Sequence, residues 1–255
     1  MKQTQSYIIC ATPRSGSTLM CDLLDDTGIA GHPDSFFRCQ SIPWWAQHLN
    51  VSITDWADEH GFDQSYLAAV LKHGAGKTQM FGMRLMWKSV DGLSKRLGAL
   101  YPDLPSDSCR FRSAFGPPIY VHLSREDKVA QAVSRLRAEQ TGLWHVAADG
   151  TERERLKPAL APIYNARDLS EQVAELEEHD AAWLSWFTEQ KIQAQRVTYE
   201  ALSANPQSAL ATVLAALGLD PAIAETAKPR TAKMADNESR EWATRFRVER
   251  RSPLT

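Results

Sequence analysis

Tyr7-Ile8-Ile9-Cys10-Ala11-Thr12-Pro13-Arg14-Ser15-Gly16-Ser17-Thr18 is the stretch that decides the fold. Tyr7 to Ala11 is an apolar run of the length of a buried strand. Thr12 to Gly16 is a turn of mostly small residues, and Ser17 opens a helix that reaches about Thr27. Leu19, Met20, Leu23 and Leu24 recur at helical spacing, and Gly28 ends the pattern. A strand that enters a helix through Ser, Gly and Thr makes an anion cradle. Backbone N–H groups converge in the turn, and the helix N-terminus adds positive potential. The expected occupant is a phosphate group. The plainer alternative is a strand–turn–helix that merely uses small residues.

What the turn lacks narrows the ligand. A triphosphate-binding loop reads G-x-x-x-x-G-K-[ST]. Aligned on Gly16, this chain has Ala11 at the first glycine and Ser17 at the lysine. That lysine and Mg²⁺ together neutralise a multiply charged phosphoryl group. Here the cation is Arg14, inside the turn, so the cargo is expected to carry less charge. A second apolar strand, Pro118 to Leu123, ends in Ser124-Arg125, where a triphosphatase often has a Mg²⁺-binding Asp. The following helix, about Asp127 to Gln140, has Val129, Val133 and Leu136 on one face and carries Ser134. An arginine with a hydroxyl suits a second, metal-free phosphate, although a surface arginine and a helix serine would look the same. Two phosphate sites without a Mg²⁺ apparatus fit 3′-phosphoadenosine 5′-phosphosulfate.

These residues resemble the sulfotransferases, and more narrowly the bacterial trehalose 2-sulfotransferase family. The likeness runs through ATPRSGSTL at 11–19, TGIAGHPDSFF at 27–37 and FGMRLMW at 81–87. It continues through VHLSREDKVAQAVSRLRAEQT at 121–141, VTYEAL at 197–202 and KMADNESREW at 233–242. It implies an α/β fold with a P-loop-like central parallel sheet flanked by helices, as one domain over residues 1–255. The donor would lie on Arg14, Ser15, Gly16, Ser17, Thr18, Arg125 and Ser134, with Arg14 also stabilising the leaving phosphate. The acceptor would be a hydroxyl of a carbohydrate or glycolipid.

Two departures bear on the chemistry. The family pattern G-E-P-x-E-F-F is here Gly31-His32-Pro33-Asp34-Ser35-Phe36-Phe37. Ser35 holds the place of the second Glu, the family's proposed base. General-base help is worth roughly 10²–10⁴-fold in rate, so His32 or Asp34 is expected to take the role. His32 has the more suitable ordinary pKa. Otherwise the acceptor differs or catalysis is lost. Arg84 replaces the family's usual lysine, keeping the charge but spreading it over a planar fork. It is expected beside the sulfuryl group or the acceptor, with Phe37, Trp144 and His145 as further acceptor-side candidates. The rivals are a P-loop small-molecule kinase and a donor-binding protein without catalysis.

Composition bounds the rest. A chain of 255 residues buries one sizeable core. A net charge of −2 creates no overall field for nucleic acid or an acidic membrane. The C-terminal arginines 240, 245, 247, 250 and 251 alternate with glutamates, as on a solvated helix face; Arg230 or Lys233 reaching the 3′-phosphate is the sharper reading. Cys10, Cys21, Cys39 and Cys109 lack C-x-x-C spacing, which suggests reduced thiols, a cytoplasmic location and no metal. No signal peptide and no run of about 20 apolar residues is found. A homodimer is left open.

Further elements are expected as a helix at Asp63–His73, a strand at Met80–Trp87 and a helix at Ser89–Leu100. A connection at 101–118 and an irregular, lid-like stretch at 142–168 follow. Then come a helix at Leu169–Gln190, a strand at Gln195–Tyr199 and a helix from Asn205-Pro206 to Gly218. The segments 31–75, with Trp44, Trp45, Trp56, Phe62 and Tyr66, and 142–168 are expected as substrate-side excursions.

Overall fold

The computed structural model describes residues 5–52 and 59–251, so Trp56 lies outside the described residues. The strands are β1 (Gln5–Ala11), β2 (Met80–Met86), β3 (Pro118–Ser124), β4 (Leu143–Val146), β5 (Glu152–Arg155) and β6 (Gln195–Thr198). Four of them form a parallel sheet in the order β2-β1-β3-β6, while β4 and β5 pair as an antiparallel hairpin. Tyr7 to Ala11 are wholly buried, as a central parallel strand must be when helices cover both faces. The two-residue period divides that strand between two cores. Ile8 and Cys10 join Phe81, Met83, Phe111 and Trp183 on one side. Tyr7, Ile9 and Ala11 join Met20, Leu24, Leu210 and Val213 on the other.

Each site-bearing strand passes into a helix. β1 leads to α1 (Ser17–Asp26), β3 to α6 (Lys128–Thr141) and β6 to α8 (Tyr199–Ala204). The three turns therefore gather at the carboxyl edge of the sheet, where open α/β sheets place ligands. On the flanks lie α2 (Ile42–His48), α3 (Glu59–Ala75), α4 (Val90–Leu100), α7 (Ala166–Glu189) and α9 (Pro206–Ala216). Asn205 caps α9 through its side chain, with Pro206 at the first helical position. The expected stripe of α7 is core: Val173, Leu176, Trp183, Trp186 and Phe187 are all buried.

Several boundaries are corrected. Residues 101–118 hold a helix, α5 (Asp107–Phe115), whose cap is Ser106 accepting from the Cys109 N–H at 3.3 Å. Phe111 and Phe115, one turn apart, bury its inner face, an apolar spacing that the flanking Pro, Ser and Gly obscure. The stretch 142–168 is not irregular throughout, because it contains β4 and β5. α7 starts at Ala166, ahead of its apolar stripe, since Asn165 accepts from the N–H groups of Arg167 and Asp168. Trp87 lies beyond β2, and Tyr199 opens α8 instead of ending β6. In α10 (Asn237–Arg251) the inner face carries Trp242, Ala243 and Phe246, which pack with Val133, Leu136 and Leu169. Among the described residues no helix is long and apolar enough to cross a membrane. All four cysteines are free.

Trp183 ties α7 to the end of β1. It is fully buried, its Nε1–H donates to the Ala11 carbonyl at 3.1 Å, and its ring meets Trp87, Trp186 and Phe187. Trp183→Ala is expected to cost about 3–5 kcal/mol. The measurement is the urea midpoint at unchanged slope, and a loss below about 1 kcal/mol would contradict this packing.

Candidate active site

The turn after β1 is held in a left-handed bend. Arg14 has φ +63° and Gly16 has φ +86°. Gly16 is also the N-cap of α1, with no capping side chain and no acidic residue in the first turn. The first N–H groups of that helix are therefore left for a ligand. A Cβ on Gly16 would lie 2.8 Å from Cδ2 of Tyr199, so both the backbone and the neighbouring ring require glycine. The same Tyr199 ring lies under the Arg125 guanidinium, 4.2 Å from its centroid.

The structure brings Arg14, Arg125 and Ser134 together. Arg14 donates through Nε to Ser134 Oγ at 2.9 Å and through Nη1 to the Trp144 carbonyl at 2.5 Å. Its Nη2 lies 3.5 Å from Met234 Sδ. Arg125 Nη1 donates to the Arg14 carbonyl at 3.3 Å, while its buried Nε has no partner. Burial, and then the charge of Arg125, push Arg14 down to about 10. Burial likewise lowers Arg125. Two desolvated cations with neutral partners call for an anion. Ser15 and Ser17 are buried in the loop, and the Ser15 hydroxyl is unpartnered.

Arg14, Arg125 and Ser134 border a cleft of about 1200 Å³, together with Gly16, Ser17 and Thr18, whereas Ser15 does not line it. Arg84 enters it from β2, beside Ile9 in the sheet register. Its Nε donates to Ser35 Oγ at 2.8 Å, and its Nη1 donates to Thr18 Oγ1 at 2.7 Å. Trp144, His145 and Glu154 border the cleft from the hairpin. His145 Nε2 lies 3.1 Å from Thr18 Oγ1 and 3.5 Å from Glu154 Oε2. Burial, followed by Arg14, Arg84 and Arg153, pushes His145 down to about 3.

Other expected residues lie elsewhere. His32 does not border the cleft; its half-exposed ring bonds Asp25. Asp34 also lies outside the cleft lining, where its carboxylate accepts from the Ser35 N–H at 2.6 Å. Phe37 is core, 5% exposed, with its ring edge-on to Tyr66 and Phe115. Arg230 pairs with Asp25 at 2.5 Å, leaving only Lys233 of those two cations on the cleft. Tyr199 and Glu154 escaped the sequence reading. The charge alternation Glu152-Arg153-Glu154-Arg155 was the available signal for a strand there. Among the described residues no group of three His, Cys, Asp or Glu side chains could hold a metal ion.

Fold and cleft define an α/β protein of the phosphate-loop type, with two guanidinium groups lacking anionic partners at the carboxyl ends of adjacent strands. The chain belongs to the Stf0 sulphotransferase family, whose model matches residues 6–249. It is 32% identical to the trehalose 2-sulfotransferase of Mycobacterium tuberculosis (strain ATCC 35801 / TMC 107 / Erdman) over 97% of this chain and 96% of that protein. It is also 32% identical to the trehalose 2-sulfotransferase of Mycolicibacterium smegmatis (strain ATCC 700084 / mc(2)155), covering 95% of this chain and 94% of the relative. A solved sulfotransferase domain from the Synechococcus PCC 7002 olefin synthase is 16% identical with a TM-score of 0.44, spanning 99% of this chain and 96% of that one.

A part-buried, neutral His145 makes stability depend on pH. Its folded value, about 3, lies below the ordinary value of 6.5. Between those values the unfolded chain binds a proton that the folded chain does not. Folding stability therefore falls as pH drops through this window, by up to about 1.4 kcal/mol per pH unit. Urea midpoints at pH 6.5, 5.5 and 4.5 are expected to decline less steeply in His145→Gln. Equal slopes in the two proteins would contradict the assignment.

Proposed function

We propose that this chain transfers a sulfuryl group from 3′-phosphoadenosine 5′-phosphosulfate to a hydroxyl of a carbohydrate or glycolipid. One observation carries the donor reading: Arg14 and Arg125 are desolvated side by side, and their hydrogen bonds end on neutral groups. The residues fit the donor. Arg14 and the N–H groups of Ser15 to Thr18 would take the 5′-phosphosulfate at the uncapped start of α1. Arg125, with its free Nε, and Ser134 would take the 3′-phosphate. Ser17 in place of a lysine suits a sulfuryl group better than a more highly charged γ-phosphoryl group.

The donor supplies an activated sulfur. The chain's own part is to orient it, exclude water and meet the charge left on the departing phosphate, a role for Arg14. Arg84 joins Thr18 of the donor loop to Ser35, which puts it at the boundary between donor and acceptor. The relatives' names support a sugar hydroxyl as acceptor. Both excursions, 31–75 and 142–168, contribute to the cleft wall, through Arg38 and Gln40 and through Trp144 and Leu160. We read the chain as one domain with these two segments on its acceptor side. Four free thiols fit a reducing compartment such as the cytoplasm.

Calorimetry tests the donor site. Adenosine 3′,5′-bisphosphate is expected to bind at least about tenfold tighter than ATP–Mg²⁺, a difference of about 1.4 kcal/mol. Arg125→Ala is expected to weaken the bisphosphate by about 10-fold to 100-fold, the worth of a charge-assisted contact. A preference for ATP–Mg²⁺ would transfer the protein to the small-molecule kinases. Bisphosphate binding without sulfuryl transfer to any of a panel of sugars would make it a donor-binding protein.

A further inference from the structure

We infer that His145, backed by Glu154, takes the proton of the acceptor hydroxyl, in place of the glutamate that this chain lacks at Ser35. The inference rests on the sulfuryl transfer proposed above.

Geometry carries it. Ser35 Oγ is occupied by the Arg84 Nε donor at 2.8 Å. Arg84 reaches from there to Thr18 Oγ1 at 2.7 Å, and Thr18 Oγ1 lies 3.1 Å from His145 Nε2. The imidazole is thus linked to the Ser35 position through Thr18 and Arg84, and His145 and Ser35 border the same cleft. A guanidinium only donates, so Thr18 Oγ1 accepts from Arg84 and turns its own proton to His145 Nε2. That assignment leaves the ring proton on Nδ1 and the Nε2 lone pair accepting from Thr18, which becomes the relay to the ring. Glu154 Oε2, 3.5 Å from the same Nε2, is placed to pair with the ring once it is protonated.

The hairpin that carries His145 is fastened on several sides. Arg153 grips the buried Asp22 of α1 with two bonds of 2.5 and 2.9 Å. The Trp144 carbonyl accepts from Arg14 at 2.5 Å. The Val146 carbonyl accepts from the Ala232 N–H at 2.9 Å, and the Ala148 N–H donates to the Arg230 carbonyl at 3.0 Å. The residues on both sides of His145 are therefore fixed by backbone contacts, as a proton acceptor requires.

The charges facing the ring give it a condition. Arg14 comes from the donor loop, Arg84 from β2, Arg153 and Glu154 from β5, and Lys233 borders the same cleft from the segment before α10. Asp22 neutralises part of Arg153, and Asp34 stands 3.8 Å from Arg84. With cations in the majority, the ring is neutral but weakly basic in the free protein. An anionic donor beside Arg14 offsets that field and raises the affinity of Nε2 for a proton. Donor binding thereby prepares the base. In the step, the acceptor hydroxyl gives its proton to Thr18 Oγ1, which passes its own proton to His145 Nε2, as the acceptor oxygen forms the bond to sulfur. The bond from sulfur to the bridging oxygen of the 5′-phosphate breaks, and the bisphosphate leaves with that electron pair. The imidazolium pairs with Glu154 and releases its proton to water.

The test uses the full chain and begins without turnover. Histidine-ring NMR across pH 4–8 is expected to show the His145 midpoint rising when adenosine 3′,5′-bisphosphate is added, and rising less in Glu154→Gln. An unmoved midpoint, or a ring already charged at pH 6 in the free protein, overturns the inference. His145→Gln should bind the bisphosphate within about threefold of the wild type. Its release of bisphosphate from the phosphosulfate donor, with trehalose offered as acceptor, should fall about 10²–10⁴-fold. The acid limb of the pH–rate profile should vanish with it, and adding Ser35→Glu should restore at least about tenfold of the rate. An unaltered rate with intact binding overturns the base alone. A parallel loss of affinity and rate makes the ring a donor ligand and also overturns it. A wild-type chain that ignores the bisphosphate overturns the donor reading beneath it.

Discussion

Two guanidinium groups kept close together and largely out of water set the terms for the rest of this structure. Arg14 and Arg125 are both desolvated, and the charge of Arg125 further disfavours that of Arg14. The chain tolerates this through neutral contacts: Ser134, the Trp144 carbonyl and Met234 for Arg14, and the Tyr199 ring with the Arg14 carbonyl for Arg125. None of these contacts is with an anion, and that unmet demand is what supports the proposed anion site. The demand exists because β1 and β3 are neighbours in a parallel sheet, so that the turns beyond their carboxyl ends meet. Gly16 permits the approach, since any side chain there would strike Tyr199.

The hairpin β4–β5 is the second structural commitment. It lies outside the main sheet, yet it closes the cleft and supplies Trp144, His145 and Glu154 to it. Its anchor is the Arg153–Asp22 pair, with Asp22 only 5% exposed. An ion pair of this kind contributes less to net stability than to registry: it fixes the hairpin against α1, the helix into which the turn after β1 leads. The turn after β1 and the hairpin on the other side of the cleft are thereby joined through α1.

The expected site residues that stand outside the cleft lining share a cause. His32, Asp34 and Phe37 come from a block whose order matches the family pattern, but order does not set where a side chain points. Asp25, seven residues earlier at the end of α1, draws the His32 ring away from the cleft. Asp34 spends its carboxylate on the next backbone N–H. Phe37 is drawn inward by Tyr66 and Phe115, a partner set assembled from α3 and α5. Conversely, Glu154 sits in a run of alternating charges with no apolar period, so burial gave no clue to it.

Local chemistry alone determined the strand–turn–helix at the start of the chain, the missing lysine, the helix with Ser134 behind Arg125, and the buried stripe of α7. Each is a matter of short-range periodicity, capping or residue type, which a linear chain displays. The tertiary structure decided which of these groups meet. Arg14 with Ser134, Arg84 with Thr18, and His145 with Thr18 are contacts across long chain separations. They exist because β1 pairs with β2 on one side and β3 on the other, and because a hairpin is pinned over the seam. Strand pairing and side-chain burial are collective outcomes of the whole fold, so no local segment carries them.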